Sequence, residues 1–384
     1  MEFWKKLCAF IKKETVLTVA IVLAVISAVP VVPDKEYAGY IDFRTLSILF
    51  CLMAVMAGLQ KLGVFRKVAG MLLRHTHNTV QLVEVLVLLC FFFSMVITND
   101  VSLITFVPFT FIVLRLSGED AVKKLAVPVI ALQTIAANLG SMLTPIGNPQ
   151  NLYLYGKAQM SAGAFILLML PYSLVSLLLL VICAAVVAKR SKITVQSVKA
   201  SLGDNVESEA AERKNYLLLM YLLLFLLCLF TVARVIPYPV TLVIVAAAAL
   251  IFDRSTITKV DYSLLLTFVG FFVFIGNMGR MPAFRDFLQG IIGGREVVTS
   301  VIASQVISNV PAALLLSGFT EDVQALIVGT NLGGLGTLIA SMASLISYKQ
   351  VAGQIPEEKK RYFGWFTVAN VAFLAILLVL NIIL

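Results

Sequence analysis

The chain has 384 residues, of which 60% are hydrophobic and 13% are charged, and its formal net charge is +9. So much apolar surface exceeds what a soluble core can bury, and the composition indicates an all-α, polytopic protein of the lipid bilayer. The basic residues stand in short clusters between apolar runs and form no continuous face, which argues against nucleic-acid binding. The five cysteines lack a C-x-x-C spacing, so neither a disulfide framework nor a thiolate metal site is expected.

Apolar runs divide the first half of the chain into recognisable units. Residues 1–41 hold a basic segment followed by a first span over 15–32. Residues 42–188 hold a span, a short amphipathic helix at the membrane interface, an apolar segment over 81–115, a broken helix over 121–156 and a further span. The break holds two prolines and two glycines among amide side chains, which cannot continue a helix. The segment 81–115 could form two spans, but its basic residues at both ends favour one re-entrant hairpin.

The second half repeats this order after a connection. Residues 189–214 are hydrophilic and are predicted to form a cytoplasmic linker, and 215–260 provide connecting spans. Residues 261–384 then hold a span, an interfacial helix, a hairpin over 297–319, a broken helix over 325–349 and a last span. The arms of this hairpin have about 12 residues and rise only about 18 Å, too short to cross a core of about 30 Å. A re-entrant hairpin is therefore predicted.

An internal duplication relates the two halves. The pattern Ser-x-Val-Ile-Thr-Asn at 94–99 returns as Ser-x-Val-Ile-Ser-Asn at 304–309, an offset of 210. Asp42 matches Asp261 at an offset of 219, and Asn138 matches Asn331 at an offset of 193. The offset changes only between these blocks, as expected when insertions fall in loops. An odd number of predicted crossings separates the copies, which indicates an inverted-topology repeat with its binding site at the interface of the halves.

The distribution of Lys and Arg predicts the orientation of the chain. With a cytoplasmic N-terminus, about three quarters of these residues lie on the cytoplasmic side, as the positive-inside rule requires. The odd total of crossings then places the C-terminus outside. We therefore expect a multi-pass protein of the cell membrane with its N-terminus in and its C-terminus out.

These motifs resemble those of a known group. The run Thr-Pro-Ile-Gly-Asn-Pro-Gln-Asn at 144–151, the paired hairpin tips and the repeat are similar to the ion transporter superfamily. That group includes divalent anion/sodium symporters, citrate transporters, arsenite permeases and sodium/proton antiporters. The resemblance covers nearly the whole chain from about residue 42. It implies a scaffold domain that forms a homodimer and a transport domain that moves as an elevator.

The resemblance also implies which residues bind ions and substrate. Two sodium sites are implied, the first formed by Ser94, Thr98, Asn99 and the carbonyl region of Leu143, the second by Ser304, Ser308, Asn309 and Gly336. A small anionic substrate would bind between the tips, at Thr98, Asn99, Asp100, Thr144, Pro145, Asn148, Ser308, Asn309, Val310 and Thr337. Neutral oxygens suit Na⁺, while hydroxyls, amides and helix N-termini suit an anion. Apart from Na⁺ or H⁺ as the coupling ion, no cofactor and no transition metal is expected.

Three positions depart from the carboxylate symporter pattern. Each tip of that pattern reads Ser-Asn-Thr, whereas Asp100 and Val310 stand at its last position here, and Leu338 stands where the second broken helix is expected to have a proline. Asp100 places a carboxylate beside a predicted anion site, where like charges repel unless a proton or cation intervenes. It could carry a coupling proton, bind a cation, or cap the following helix. Val310 supplies no hydroxyl, so the second half is less equipped to bind substrate.

Taken together, the sequence predicts a secondary active transporter. Its expected cargo is a di- or tricarboxylate or an inorganic oxyanion, coupled to Na⁺ or H⁺. Asp100 keeps two alternatives open, efflux of arsenite or antimonite and Na⁺/H⁺ antiport. The chain has no nucleophile-base or metal constellation of an intramembrane enzyme and no phosphate-binding loop for ATP. Closed re-entrant tips fit alternating access better than they fit a channel.

Overall fold

A computed structural model describes residues 14–193 and 211–384, the side chains of 211–214 excepted. All regular secondary structure in these ranges is helical. The helices before the linker are α1 (Thr15–Ser27), α2 (Tyr37–Tyr40), α3 (Phe43–Lys61), α4 (Val64–Leu73), α5 (Thr79–Ile97), α6 (Asn99–Leu116), α7 (Glu119–Ser141), α8 (Pro149–Lys157) and α9 (Ala162–Ser191). Those after it are α10 (Ala211–Val232), α11 (Tyr238–Phe252), α12 (Tyr262–Gly279), α13 (Pro282–Ile292), α14 (Glu296–Ile307), α15 (Asn309–Ser317), α16 (Val323–Leu332), α17 (Met342–Gln354) and α18 (Lys359–Ile383). Two 3-10 turns, Arg254–Lys259 and Pro356–Glu358, precede α12 and α18.

The predicted membrane class is confirmed by the lengths of these helices. Within the described ranges, eight helices are long and apolar enough to cross a membrane, or up to nine if the bent pair α13 and α14 forms one span. The first predicted span is shorter than expected, because α1 ends at Ser27 and has 13 residues. The basic segment 1–13 and most of the predicted linker, 194–210, lie outside the described residues. The predicted orientation of the termini stays a prediction.

The starts of equivalent helices are built in the same way in both halves. Asp42 precedes α3 and its carboxylate accepts a hydrogen bond from the backbone N–H of Thr45. Asp261 precedes α12 and accepts from Leu264 in the same manner. The backbone angles also agree, at φ −79° and ψ 83° for Asp42 and φ −78° and ψ 84° for Asp261. An aspartate that satisfies a free N–H at a helix start explains why both copies keep it.

The two predicted hairpins differ in length. In the first, α5 and α6 have 19 and 18 residues, so each rises about 27 Å and approaches the thickness of a bilayer core. In the second, α14 and α15 have 12 and 9 residues and rise about 18 and 14 Å. Length therefore permits two spans in the first case and excludes them in the second. The re-entrant depth of both tips stays a prediction.

Both predicted broken helices are present. The first runs as α7, stops at Ser141 and resumes as α8 at Pro149; the second runs as α16, stops at Leu332 and resumes as α17 at Met342. Helix α7 lies at the centre of the molecule, in contact with α5, α6, α9 and α18, and residues 125–142 are all buried. Helix α3 instead packs with α10 and α11, and α1 packs with α12. The breaks thus lie next to the most buried part of the fold.

Candidate functional site

Each hairpin turns on a single residue with an unusual backbone. Thr98 has φ 68° and ψ 153°, and Ser308 has φ 73° and ψ 154°. Positive φ is uncommon for residues other than glycine, and it is most costly for a β-branched side chain such as threonine. The two copies therefore share one strained conformation. This agreement extends the duplication from the sequence to the backbone of the predicted site.

Each tip is hydrogen-bonded to the broken helix of its own half. The backbone N–H of Asn99 donates to the carbonyl of Gly147 at 3.2 Å, and that of Asn309 donates to Ala340 at 2.9 Å. The two acceptors are repeat equivalents, since 147 + 193 = 340. Both asparagines are about 95% buried, with 5% and 4% exposure. Hairpin tip and helix break thus form one unit in each half.

A second pair of contacts joins the same elements. The Thr144 hydroxyl donates to the carbonyl of Met95, and the Thr337 hydroxyl donates to the carbonyl of Gln305 at 3.2 Å. These threonines lie at equivalent positions of the two breaks. Thr144 is half-buried and Thr337 is exposed. Both threonines predicted at the substrate site therefore lie beside the tips, with hydroxyls that already donate to the hairpin.

Ser94 and Ser304, predicted as ion ligands, lie one helical turn before the tips. Each hydroxyl donates to a carbonyl of its own helix, at 2.9 and 2.7 Å. Each serine also packs closely against a glycine of the broken helix. A Cβ atom on Gly140 would lie 2.6 Å from Ser94 Oγ, and one on Gly333 would lie 2.5 Å from Ser304 Oγ. Close packing between hairpin and broken helix accounts for both serines as they stand.

Asn138 connects the two halves through its side chain. Its Oδ1 accepts hydrogen bonds from Asn99 Nδ2 and from Ser341 Oγ, both at 3.0 Å. Its Nδ2 donates to the carbonyl of Gly334 at 3.3 Å. Asn99 belongs to the first tip, whereas Gly334 and Ser341 belong to the second break. A single buried amide therefore bridges the elements predicted to form the site.

Asn331, the repeat equivalent of Asn138, makes the reciprocal connection. Its Nδ2 donates to Asn151 Oδ1 at 2.7 Å, so the second broken helix contacts the start of α8. Asn151 in turn donates to the carbonyls of Ser141 and Thr144 at 3.3 Å. The buried polar groups at the centre of the molecule therefore form a network across the interface of the halves.

Three side-chain oxygens near the first break are buried and accept no hydrogen bond from the described residues, namely Asp100 Oδ1, Asn148 Oδ1 and Gln150 Oε1. The Nε2 of Gln150 likewise has no acceptor among the described residues. The N-cap of α6 is Thr98, and Asp100 lies in the first turn, with its N–H donating to the side chain of Asn99 at 2.9 Å. A buried oxygen without a donor is costly and is satisfied by a cation, a proton or water. The carboxylate oxygen of Asp100 fits a group that provides positive charge.

The remaining predicted residues lie around the breaks. Pro145 is buried, Val310 has 9% exposure, and Leu143 is half-buried. Gly336 has φ +107°, a conformation that favours glycine. Sequence reasoning did not select Asn138, Ser341, Asn331 or Gln305 as site residues. The offset of 193 relates Asn138 to Asn331 and was a usable signal, whereas the contacts of Gln305 follow only from the folded break.

A cavity with a volume of about 660 Å³ lies between α3, α8, α12 and the segment that joins α10 to α11. None of the residues predicted from the tips lines it. Its wall carries Arg44, Lys157 and Arg234 against one carboxylate, Asp42. Both oxygens of Asp42 already accept hydrogen bonds from Thr45, and the two arginines donate to backbone carbonyls. The cavity therefore has an excess of positive charge, which sequence reasoning missed because its members come from distant segments.

The profile of the citrate transporter family matches residues 7–324. Inner membrane protein YbiR of Escherichia coli is 31% identical over 329 residues, which cover 84% of this chain and 83% of that protein. The uncharacterized transporter MJ0456 of Methanocaldococcus jannaschii is 30% identical over 328 residues, covering 85% and 86%.

A shorter match extends the comparison to a plant protein. Silicon efflux transporter LSI3 of Oryza sativa subsp. japonica is 32% identical over 166 residues, which cover 42% of this chain and 32% of that protein. The family profile covers most of the chain, and the bacterial relative and the archaeal relative each match along most of their own length. The expected relationship to the ion transporter superfamily is therefore confirmed, and the chain belongs to the citrate transporter family of membrane transporters.

Proposed function

We propose that the chain is a secondary active transporter that moves a small anion across the membrane, coupled to Na⁺ or H⁺. The anion is a di- or tricarboxylate or an inorganic oxyanion, and alternating access is of the elevator type. The protein acts as a homodimer held by a scaffold that includes α3, α10 and α11. Light scattering of the purified protein tests the dimer.

One observation carries this proposal, namely the paired tips. Thr98 and Ser308 share the same positive φ, and each tip is bonded to a helix break whose amide side chain reaches into the other half. Backbone that leaves the helical pattern inside a bilayer is tolerated only where it faces protein or a water-filled cavity. Inverted repeats hold substrate at such breaks, where helix N-termini favour an anion.

In this proposal the substrate contacts the residues around the tips. Helices α6, α8, α15 and α17 all begin within this region, and the partial positive charge of a helix N-terminus suits a carboxylate or oxyanion. The proposed substrate residues are Thr98, Asn99, Asp100, Thr144, Pro145, Asn148, Ser308, Asn309, Val310 and Thr337. The coupling cation binds beside the first tip, where Asp100 and Asn148 hold unpartnered oxygens.

The basic cavity supports an anionic cargo independently of the tips. Arg44, Lys157 and Arg234 lie on its wall with one carboxylate, and such a field raises the local concentration of anions. Its volume of about 660 Å³ admits a molecule of the size of citrate. In the proposed cycle the cavity collects the anion before it reaches the tips.

Uptake by reconstituted vesicles tests the function. Radiolabelled citrate, succinate, malate, sulfate, phosphate and arsenite are offered with an inward gradient of Na⁺ or of H⁺. We expect one carboxylate or oxyanion to accumulate only with a cation gradient, and we expect Asn99→Ala and Asn309→Ala each to abolish this uptake while the protein remains folded. Uptake that persists in both variants would refute the assignment of the site to the tips.

A second candidate rests on Asp100. A carboxylate at the tip suits exchange of a proton or sodium ion better than it suits an anion, as in efflux of arsenite or antimonite or in Na⁺/H⁺ antiport. One relative is named as a silicon efflux transporter. Proton-driven transport of an uncharged oxyacid or of Na⁺, without uptake of any anion and lost in Asp100→Asn, would favour this candidate over the first.

A further inference from the structure

Gln150, in the first turn of α8, has a buried side chain without a hydrogen-bond partner among the described residues. Its exposure is 1%, and both Nε2 and Oε1 are buried and unpartnered. At Gln133, Asn277, Asn331 and Asn370 a buried oxygen also lacks a donor, but the nitrogen of each of these amides has an acceptor. Within the described ranges, Gln150 is therefore the amide with both atoms buried and free.

The neighbouring amide of Asn151 has a structural role by comparison. Its Nδ2 donates to the carbonyls of Ser141 and Thr144, and its Oδ1 accepts from Asn331. Asn151 thus holds α8 to the break and to the second half. Gln150 contributes no such bond, although a buried donor and a buried acceptor without partners are each costly. Hydrogen bonding within the fold therefore does not explain the polar character of Gln150.

The start of α8 also lacks a side-chain cap. Asn148 occupies the N-cap position, but its side chain accepts no hydrogen bond from the helix, whereas in the second half Ser341 Oγ accepts from the N–H of Ala343. Ala343 is the repeat equivalent of Gln150, since 150 + 193 = 343. Side chains on a helix lean towards its N-terminus, so the Gln150 amide lies beside the uncapped first turn. The two features together present polar groups to a ligand at this helix start.

This helix start lies beside the first tip. The carbonyl of Gly147, three residues before Gln150, accepts from the N–H of Asn99. Helix α8 also packs against α15 and α16 of the second half. Gln150 therefore lies between the first tip and the second half, next to the residues of the proposed substrate site. Sequence reasoning did not select it.

The chemistry of a free amide decides what it can bind. Either orientation of the side chain presents one N–H donor group and one acceptor oxygen. A ligand oxygen accepts from Nε2, and the dipole of α8 favours its negative charge. The Oε1 atom requires a donor, which an anion with acceptor oxygens alone does not have. A ligand with an O–H group next to an acceptor oxygen satisfies both ends of the amide.

We propose that Gln150 is a substrate-binding residue and that it selects substrates in which an O–H group lies next to an acceptor oxygen. This inference rests on the proposed transport of an anion at the tips. The hydrogen phosphate dianion carries this pair of groups, and so does an α-hydroxy acid such as malate. Sulfate and fully ionised succinate have acceptor oxygens only. The oxygens of Asp100 and Asn148 remain with the coupling cation.

The experiment measures the melting temperature of the purified protein against the concentration of four probes, at constant Na⁺ and ionic strength. Phosphate is compared with sulfate, and malate with succinate, at a mildly alkaline pH at which all four are mainly dianions. The members of each pair therefore differ in the O–H group and not in charge. A ligand that binds only the folded state stabilises it by mass action, so the concentration dependence gives the dissociation constant. Vesicle uptake of the same probes is measured in parallel.

Three proteins are compared, namely the wild type, Gln150→Met and Gln289→Met. The first substitution removes the amide and keeps a side chain of similar length. The second makes the same change at an exposed position of α13 and is the matched control.

We expect the wild type to bind the O–H member of at least one pair about a hundredfold more tightly than its partner, because the analogue without O–H leaves a buried acceptor unpaired. Gln150→Met should bind that member about tenfold more weakly and lose most of the preference. Without ligand it should be at least as stable as the wild type, since it loses no hydrogen bond to a described residue. Gln289→Met should match the wild type throughout.

Three results would overturn the inference. They are equal binding of both members of a pair, no response to any probe, and an unchanged dissociation constant in Gln150→Met. A lower melting temperature of Gln150→Met without ligand would also overturn it, because the side chain would then have a structural role. The comparison of the probes uses the wild type alone, so it decides even if Gln150→Met does not fold.

The design separates this inference from the proposed function. If the probes bind with the expected preference and Gln150→Met loses it, but vesicles accumulate none of them, the binding site stands and the proposed transport of an anion fails. If vesicles accumulate the probes without regard to the O–H group, and Gln150→Met transports them as the wild type does, the transport stands and the role of Gln150 is rejected.

Discussion

The two hairpin tips share their backbone and differ in their side chains. Thr98 and Ser308 agree in φ to within a few degrees, and both following asparagines are bonded through their N–H groups to equivalent carbonyls. The side chains around this common backbone differ, since Met95 in the first half is equivalent to Gln305 in the second. The residues that follow the two tip asparagines differ in charge as well, because Asp100 has a carboxylate and Val310 is apolar.

This comparison teaches which features of a duplicated site are free to change. The bonds that dock tip to break run between backbone groups, so a change of side chain does not disturb them. Side chains beside the break, by contrast, decide which chemical groups lie there. The two tips therefore share a backbone shape and differ in side-chain chemistry, and each prediction below tests one difference between the two halves.

The largest effect is expected from Asn138→Ala, with Asn331→Ala as its counterpart. Truncation of Asn138 leaves Asn99 Nδ2, Ser341 Oγ and the Gly334 carbonyl without their partner. Each buried group left unpaired costs about 1–3 kcal/mol, so the three groups together predict a loss of at least about 3 kcal/mol in the free energy of unfolding. Thermal melting in detergent and vesicle uptake measure the result.

Asn331→Ala should destabilise less. One of its two hydrogen bonds goes to Asn151 across the interface, and the other stays within its own helix. Equal losses of unfolding free energy in Asn138→Ala and Asn331→Ala would show that both asparagines contribute equally to the contact between the halves, which would contradict the difference expected here. A larger loss for Asn138 together with complete loss of uptake would place the main link between the halves on the first broken helix.

The second expected effect is a functional loss without a loss of stability, in Asp100→Asn. Because Asp100 Oδ1 accepts no hydrogen bond from the described residues, an amide of the same shape should fold at least as well. The dependence of transport on the coupling cation should weaken by about tenfold, which corresponds to about 1.4 kcal/mol. Uptake at varied Na⁺ and pH measures it, with Asp100→Glu as the variant that keeps the charge.

Unchanged ion dependence in Asp100→Asn would remove the carboxylate from the coupling. The equivalent change in the second half, Val310→Asn, provides the control, because Val310 has no charge to lose. If both variants behave alike, the chemical difference between the tips does not bear on coupling.

Much of this fold follows from patterns that a single sequence carries. Pro145 and Gly147 in the first break and three glycines at 333–336 in the second disfavour a continuous helix, and an offset read from Ser94 and Ser304 pairs the hairpins. Apolar runs give helix lengths with errors of a few residues at the ends, such as the five residues at the ends of α1 and α17. These features are local, and local sequence determines them.

The details of the site depend on contacts between distant segments. The positive φ of Thr98 occurs where the tip docks onto the break through the Asn99 N–H, and threonine itself disfavours this conformation. Nothing local shows that Gln305 reaches 28 and 30 residues along the chain to Gly333 and Leu335. The basic cavity is likewise lined by Arg44 of α3 and by Arg234 of the segment that joins α10 to α11, which only the folded chain brings together.

A third and smaller effect is expected from relieving the tip conformation. Thr98→Gly removes a β-branched residue from positive φ, a strain of about 1–3 kcal/mol, at the expense of about 0.5–1 kcal/mol from the flexibility of glycine in the unfolded chain. A net gain of about 1 kcal/mol is expected, and Ser308→Gly should gain less because serine is not β-branched. Melting temperatures of the two variants measure the difference. A loss of stability in Thr98→Gly would show that its side chain contributes more than its backbone strain removes.

The smallest effect concerns the basic cavity, which lies on one side of the repeat. The equivalents of Arg44 and Lys157 in the second half are Ser263 (44 + 219 = 263) and Gln350 (157 + 193 = 350), and both are neutral. Lys157→Gln therefore makes the first half resemble the second. Long-range attraction of an anion should weaken, raising the apparent KM of uptake about two- to threefold at low ionic strength.

Salt separates this field effect from a direct contact. Above about 0.5 M salt the screening length falls to a few ångströms, so an attraction at long range vanishes and the KM of Lys157→Gln should approach that of the wild type. Lys189→Gln removes the same charge outside the cavity and should leave the KM unchanged at every ionic strength. A KM difference that survives high salt would mean that Lys157 touches the substrate, and the cavity would then be part of the binding site, with the first half supplying both the cation ligands and the anion ligands.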